Sequence, residues 1–293
     1  MRFADEYQQQ FSQIKFCASN VISRGLHICY EKVAVSVPIN VNYNAVSVFS
    51  CAGHRVVPIK FVLAELCYLL SRRNDAKSIV SYNMSMANYV DDDGRINGAY
   101  GWRLRDQLQQ LVRRLIADPY TRQACAAIYS ADDGVTTTRT HLPCNVFLQA
   151  LYREKTLILI VTSRSSDFVT GFSIDTLHWQ ALALLIRNEL VQVIGLDIKH
   201  VTIEYNIGSL HVYAADKVIV DAWEVPSDSE EYEHFLTFPS LTLSEATARA
   251  QTMFKEGLSI HQLGEILCLD MISMGKVVHL NGLFEKYRNK VVR

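Results

Sequence analysis

The chain has 293 residues, 49% of them hydrophobic and 20% charged, enough apolar material for a substantial buried core. Its 29 lysines and arginines nearly balance 30 aspartates and glutamates, so no whole-molecule field holds a nucleic acid or an acidic membrane, and any anion must be gripped locally. No apolar run approaches the roughly 20 residues of a membrane span, the first residues lack a signal-peptide core, and seven scattered cysteines (17, 29, 51, 67, 125, 144 and 268) have no CxxC spacing for zinc or redox work. A cytoplasmic protein without a metal is expected, with six cysteines as small core residues and Cys144 as the exception.

In chain order, Phe3, Tyr7, Phe11, Ile14, Ala18 and Val21 recur at three- and four-residue steps, predicting an N-terminal helix. From Lys32 to Ser50 the pattern alternates and is β-branched, predicting strands through Val33, Val35 and Val37, then Ile39, Val41 and Tyr43. Pro58 suits the first turn of a helix through Phe61, Ala64, Glu65, Tyr68 and Leu69, in which a glutamate among apolar neighbours needs a reason. A helix from Leu104 to Ile116 should stop at Asp118-Pro119. Strands are expected at 124–130, 145–152 and 157–162, a long helix at 174–190, and a strand pair over 199–213.

Pro226-Ser-Asp-Ser-Glu-Glu reads as a polar linker, which divides the chain into a catalytic domain at 1–225 and a helical C-terminal extension at 226–293. In the extension, Thr242-Leu-Ser-Glu245 and Ser259-Ile-His-Gln262 have capping-box spacing, with Gly257 as a stop between them. The rhythm from Phe254 to Val278 also suits a helix-turn-helix, so a nucleic-acid-binding or purely structural homologue without catalysis is the alternative of another class. The modest basic face of the last helix makes nucleic acid an unfavoured partner.

Four short motifs carry chemistry. They are Leu142-Pro143-Cys144-Asn145, Ser163-Arg164-Ser165-Ser166-Asp167, Gly171-Phe-Ser-Ile-Asp175 and His211-Val212-Tyr213. Taken singly, Cys144 reads as a buried structural thiol, Arg164 as a surface arginine and Asp175 as a helix cap. Together, in this order and spacing, they resemble the core of the thymidylate synthase superfamily, nearest its deoxycytidylate 5-hydroxymethylase branch. The likeness covers roughly residues 1 to 220 and is specific from 141 to 213.

The resemblance implies an α+β fold, a mixed sheet packed with helices, and covalent catalysis. Pyrimidines are electrophilic at C6, so a Cys144 thiolate added there makes C5 a nucleophile toward a one-carbon donor, and a nearby cation such as Arg164 would activate the thiol. Arg164 and Ser165 would hold the nucleotide phosphate, His211 and Tyr213 the sugar. Glu65 falls where the family keeps a proton-managing glutamate, and Tyr100-Gly101 resembles a loop near the ring. Asp118-Pro119 with Arg122 resembles a segment whose arginine reaches the partner's phosphate, which implies a homodimer with Arg122 acting in trans. Gln123 stands where the family has a second arginine. Arg24 is a further candidate for the phosphate. Asp167, Arg55 and Asn83 would meet 5,10-methylenetetrahydrofolate, the implied cofactor.

Uracil enzymes carry asparagine at the position of Asp175. A carboxyl suits cytosine instead, one oxygen accepting from N4 and a shared proton bridging the other to N3. Asn145 replaces the usual histidine after the nucleophile. The stretch 81–87 lacks the tryptophan that shields the exocyclic methylene from water, and the C-terminus ends on an unrelated appendage. The expected reaction is therefore hydroxymethylation of dCMP in a bacterial or phage-infected cell. A dCMP 5-methyltransferase or a ribo-CMP 5-hydroxymethylase is the alternative.

Overall fold

The computed structural model describes residues 16–23, 25–41, 46–47, 58–135, 141–221, 235–236, 240–270, 273–275 and 277–278. Its centre is a seven-stranded mixed sheet in the order β1-β2-β8-β6-β5-β4, with β7 also paired to β8. The strands are β1 (Cys17–Ser23), β2 (Leu26–Val41), β4 (Cys125–Ala127), β5 (Asn145–Arg153), β6 (Thr156–Ser163), β7 (Ser166–Asp167) and β8 (His200–Tyr213). A separate short pair joins β3 (Val46–Ser47) to β9 (Phe235–Leu236). β6 and β8 run parallel, joined by a long helical crossover, while β5 and β6 form a hairpin. This is an α+β fold.

Four expectations change. Ala18 and Val21 belong to edge strand β1, paired with Tyr30 and Ile28 of β2, and not to a helix; residues 3–14 lie outside the described residues. The same three-residue spacing arises here from a bulge between Ala18 and Val21, which an apolar period cannot distinguish from a helical turn. The two strands expected from Val33 onward are one as far as Val41, Tyr43 lying outside the described residues, and the pair expected over 199–213 is one strand of 14 residues. β2 runs on through Pro38, which pairs with Glu204 of β8, and among the described residues β1 covers its other side only as far as Glu31, leaving an edge of the kind that tolerates proline. Of the cysteines, Cys29 and Cys67 are buried, but Cys17 and Cys268 are exposed.

On one face of the sheet, helices α1 (Ile59–Ser71), α3 (Tyr100–Ala117) and α5 (Gly171–Ile194) share one core with Leu157, Leu159, Val161, Val201, Ile203 and Tyr205. α5 is buried nearly all round, which is why its sequence shows little helical stripe. Gly195, at φ 63°, closes it in the left-handed region. Shorter helices α2 (Ala76–Val80), α4 (Ala131–Val135) and α6 (Lys217–Asp221), and a 3-10 turn at Met84–Tyr89, complete this part.

Helices α7 (Leu243–Met253) and α8 (Ile260–Ile266) each begin with the expected capping box, and Gly257 lies between them at φ 69°. Their apolar residues enter the same core, and Leu263 and Ile266 are fully buried. The intervening loop is tied down by Tyr82, which donates to the Lys255 carbonyl at 2.7 Å and accepts from the Leu258 amide at 2.8 Å. Among the described residues no helix is long and apolar enough to cross a membrane, and no cluster of three metal-ligating side chains occurs.

Candidate active site

Cys144 ends the loop that enters β5, and the sequence after the β5-β6 hairpin returns Arg164 beside it. The Arg164 amide donates to the Cys144 carbonyl at 2.9 Å, and Ser163 Oγ donates to the same carbonyl at 3.0 Å. The guanidinium clamps the corner from outside, with Nε donating to the Pro143 carbonyl at 3.0 Å and Nη2 to that of Leu142 at 2.9 Å. Nη2 stands 3.8 Å from Cys144 Sγ, positive charge beside the sulfur. Nη1 has no protein partner among the described residues.

One glycine makes this approach possible. A Cβ on Gly208 of β8 would lie 2.7 Å from the Arg164 carbonyl oxygen, a backbone atom that cannot swing aside. On the same strand, His211 Nδ1 is 3.5 Å from Ser165 Oγ, and the His211 and Tyr213 rings meet edge to face at 4.9 Å. The other ring nitrogen of His211, Nε2, is buried without a partner among the described residues, a cost that a bound hydroxyl or water would relieve.

Asp175 lies in the second turn of α5. It does not cap the helix, because the cap position is Thr170. Its Oδ2 accepts from Asn145 Nδ2 at 2.9 Å and lies 3.2 Å from the hydroxyl of Tyr205, which is itself 3.0 Å from Asn145 Oδ1. Asn145 and Tyr205 are fully buried. Burial raises the Asp175 carboxyl to about 6 against these two hydrogen bonds. Tyr205 was not expected at this site from the sequence. Its signal was its even spacing from His211 and Tyr213 on one strand, which puts all three on the same face.

Glu65 and Tyr100 complete the cluster. The charge of Asp175 acts on both, and that of Cys144 on Tyr100. Burial first, then Asp175, raise the Glu65 carboxyl to about 8, although 27% of its side-chain area still meets solvent. His178 Nε2 lies 3.9 Å from Glu65 but bonds the Val62 carbonyl at 3.1 Å, and burial lowers this imidazole to about 4. A neutral histidine offers no charge to hold Glu65 ionised. The Tyr100 ring stacks on Trp179 at 5.9 Å, and burial lifts its hydroxyl well above its ordinary value. Close approach again needs glycine: a Cβ on Gly101 would lie 2.1 Å from the Leu69 carbonyl oxygen, so Gly101 lets α3 meet α1 backbone to backbone.

A reduced-thiol corner, an arginine on it, two interacting carboxylates and a His-Tyr strand thus converge from five elements. The family model for thymidylate synthase matches residues 29–256. The chain belongs to the thymidylate synthase family. Among curated relatives it is 33% identical over 143 residues to the deoxyuridylate hydroxymethyltransferase of Bacillus phage SP01, 43% of this chain and 35% of that one. It is 30% identical over 148 residues to the deoxycytidylate 5-hydroxymethyltransferase of Enterobacteria phage T4, 44% of this chain and 56% of that one. The matched stretches therefore cover about a third to just over half of these relatives' lengths.

The remaining expected residues of this thymidylate synthase homologue are placed as follows. Asp167 pairs across the ladder with His211, bonds the Val169 amide at 3.1 Å, and is raised by burial. Asn83 caps the 3-10 turn, accepting from the Ser85 amide at 3.1 Å, and so serves a local role. That turn reaches the Cys144 corner through Tyr89, whose ring meets His141 at 5.1 Å. Within one chain Arg122 is not brought to Cys144. It lies at the far edge of the sheet, its carbonyl accepting from Gln149 Nε2 at 2.8 Å. Arg24 and Arg55 lie outside the described residues.

Proposed function

We propose that this protein hydroxymethylates C5 of dCMP, using 5,10-methylenetetrahydrofolate as one-carbon donor. The observation that carries the reading is the joint position of Cys144 and Asp175: the nucleophile sits next to Asn145 in sequence, and Asn145 holds the carboxyl that meets the base. Cys144, with Arg164 against its sulfur, adds to C6 and transfers electron density to C5. Arg164 Nη1 and Ser165 take the phosphate, and His211 Nε2 and Tyr213 the sugar. Asp175 takes the amino edge of the ring. Glu65, protonated at neutral pH, supplies and receives the protons at the ring and at the carbon.

The residues around the corner fit a folate. Asp167 offers a largely enclosed carboxyl for a pterin's amino edge, and the 3-10 turn presents Met84, 75% exposed, as an apolar surface for a flat ring. When bound, the folate supplies carbon at the oxidation level of formaldehyde. The 3-10 turn carries no tryptophan and is nowhere buried, which supports water rather than hydride as the group that completes the product.

A homodimer fits the sheet. Its face away from the helices carries Phe147, Leu151, Ile158, Ile160 and Pro38, none of them buried among the described residues, beside the polar Gln149, Thr202 and Glu204, and a second layer over this mixed face suits a partner copy. Gln149 lies on that face and its neighbour Arg122 would be carried toward the partner's phosphate. In this reading residues 1–225 form the catalytic part and 226–293 the helical extension, in the cytoplasm of a bacterial or phage-infected cell.

The test is incubation with methylenetetrahydrofolate and dCMP, CMP or dUMP, followed by mass spectrometry of the nucleotide. A hydroxymethyl gain on dCMP is expected. Preferred turnover of dUMP overturns the role of Asp175, and a methyl gain overturns the role of water. Cys144→Ala should abolish product while nucleotide binding persists in titration calorimetry; turnover by that variant contradicts the covalent step.

A further inference from the structure

We infer that Tyr205 and Asn145 are specificity-determining residues, which lock Asp175 so that its outer oxygen meets the pyrimidine only as an acceptor. The inference rests on the reading that Asp175 faces the base, and deepens it. Three contacts join two buried side chains and the half-buried Asp175 in a triangle: Asn145 Nδ2 to Asp175 Oδ2 at 2.9 Å, Tyr205 to the same Oδ2 at 3.2 Å, and Tyr205 to Asn145 Oδ1 at 3.0 Å. Two of them end on one carboxyl oxygen. Oδ1 has no protein partner among the described residues and is the oxygen left for a ligand.

The hydrogens decide what Oδ1 offers. A phenol has one proton; the Ser163 and Ser166 hydroxyls reach the Tyr205 oxygen as donors, and of its contacts to Asn145 and Asp175 the shorter is to Asn145 Oδ1. When Tyr205 donates there, the contact between its oxygen and Asp175 Oδ2 is filled by a proton on the carboxyl. Asp175 then donates to Tyr205, Tyr205 to Asn145, and Asn145 back to Asp175, a closed ring with one hydrogen in each contact. When Asp175 is ionised, Tyr205 turns its proton to Oδ2 instead. In both states any proton on the carboxyl is drawn inward to Oδ2, and Oδ1 presents lone pairs alone.

An acceptor-only oxygen suits the exocyclic amino group of a 4-aminopyrimidine. Against the carbonyl of a 4-oxopyrimidine it sets acceptor on acceptor, in a site where unpaired polar groups are costly. An aspartate without the lock is free to carry its proton on the outer oxygen and donate to that carbonyl, so it discriminates poorly. The same geometry revises the bidentate contact expected from sequence: Oδ2 is already filled by Asn145 and Tyr205, and the base is read through Oδ1.

The experiment is binding of dCMP and dUMP to the full chain by titration calorimetry, without folate, for the native protein and Tyr205→Phe. This change removes only the hydroxyl and keeps the ring stacked on Phe172 at 5.7 Å. The native protein should favour dCMP, and the ratio of the two affinities should fall about tenfold or more in Tyr205→Phe, through tighter dUMP as well as weaker dCMP. Asn145→Ala, which breaks the same ring, should shift the ratio the same way and replaces Tyr205→Phe if that variant does not fold. A native preference for dCMP that both variants keep overturns the lock alone. A native protein without that preference overturns the cytosine reading itself, and the lock with it.

Discussion

Glu65 shows how one side chain can serve chemistry at the expense of stability. Its carboxyl is ordinary in the unfolded chain, near 4.5, and about 8 in the fold, so the native state holds a proton that the unfolded state has released. Stability from this group is intact below pH 4.5 and is lost as pH rises from 4.5 toward 8. The cost reaches on the order of 2–3 kcal/mol near neutrality, discounted because part of the side chain meets solvent. Glu65→Gln should therefore raise the thermal midpoint at pH 8, leave it nearly unchanged at pH 4, and reduce turnover by roughly 10²–10⁴-fold. Melting curves and single-turnover rates at the two pH values check this; an equal shift at both pH values would show that Glu65 is not the titrating group. The residue was visible in sequence as a carboxylate among apolar neighbours. Its partner Asp175, in the second turn of a helix far along the chain, was visible only through resemblance.

At the scale of elements, the site depends on backbone approach. Gly208→Ala sets a methyl 2.7 Å from the Arg164 carbonyl and should push the guanidinium off the Cys144 corner. A fall in kcat/KM of more than tenfold with a loss of about 1–3 kcal/mol in urea unfolding is expected. Activity kept at native level would show that Arg164 does not need β8. The β5-β6 hairpin makes the opposite case. Its two-residue loop, Glu154-Lys155, has φ 46° and 60°, left-handed positions filled by residues poorly suited to them. Replacing the pair by Asn-Gly should stabilise the protein by about 1 kcal/mol and leave turnover unchanged, because the loop is at the end of β5 opposite Asn145. Strands and helices here were largely legible from period and capping residues. At the end of the N-terminal stripe, Ala18 and Val21 depart from the expected helix because a bulged strand and a helix place apolar residues at the same short steps.

The whole molecule adds what no single chain segment contains. With Arg122 acting across a dimer, mixing Arg122→Ala with Cys144→Ala protein should restore about a quarter of native activity, since half the dimers are mixed and each mixed dimer holds one complete site. No recovery on subunit exchange would confine Arg122 to its own chain. Ile160→Lys, on the face of the sheet away from the helices, should yield a monomer in analytical ultracentrifugation. The amino-acid sequence by itself determined the α+β class, the long central helix, the capping boxes and the set of reactive residue types, because these follow from local period, local hydrogen bonding and the order of short motifs. Only the tertiary structure decided that Arg164 clamps the Cys144 corner, that Gly101 and Gly208 admit the close contacts, and that Tyr205 and Asn145 fill one oxygen of Asp175. Those relations join residues 20 to 60 positions apart, and their energies depend on burial and on a few tenths of an ångström, quantities that exist only once the chain has closed on itself.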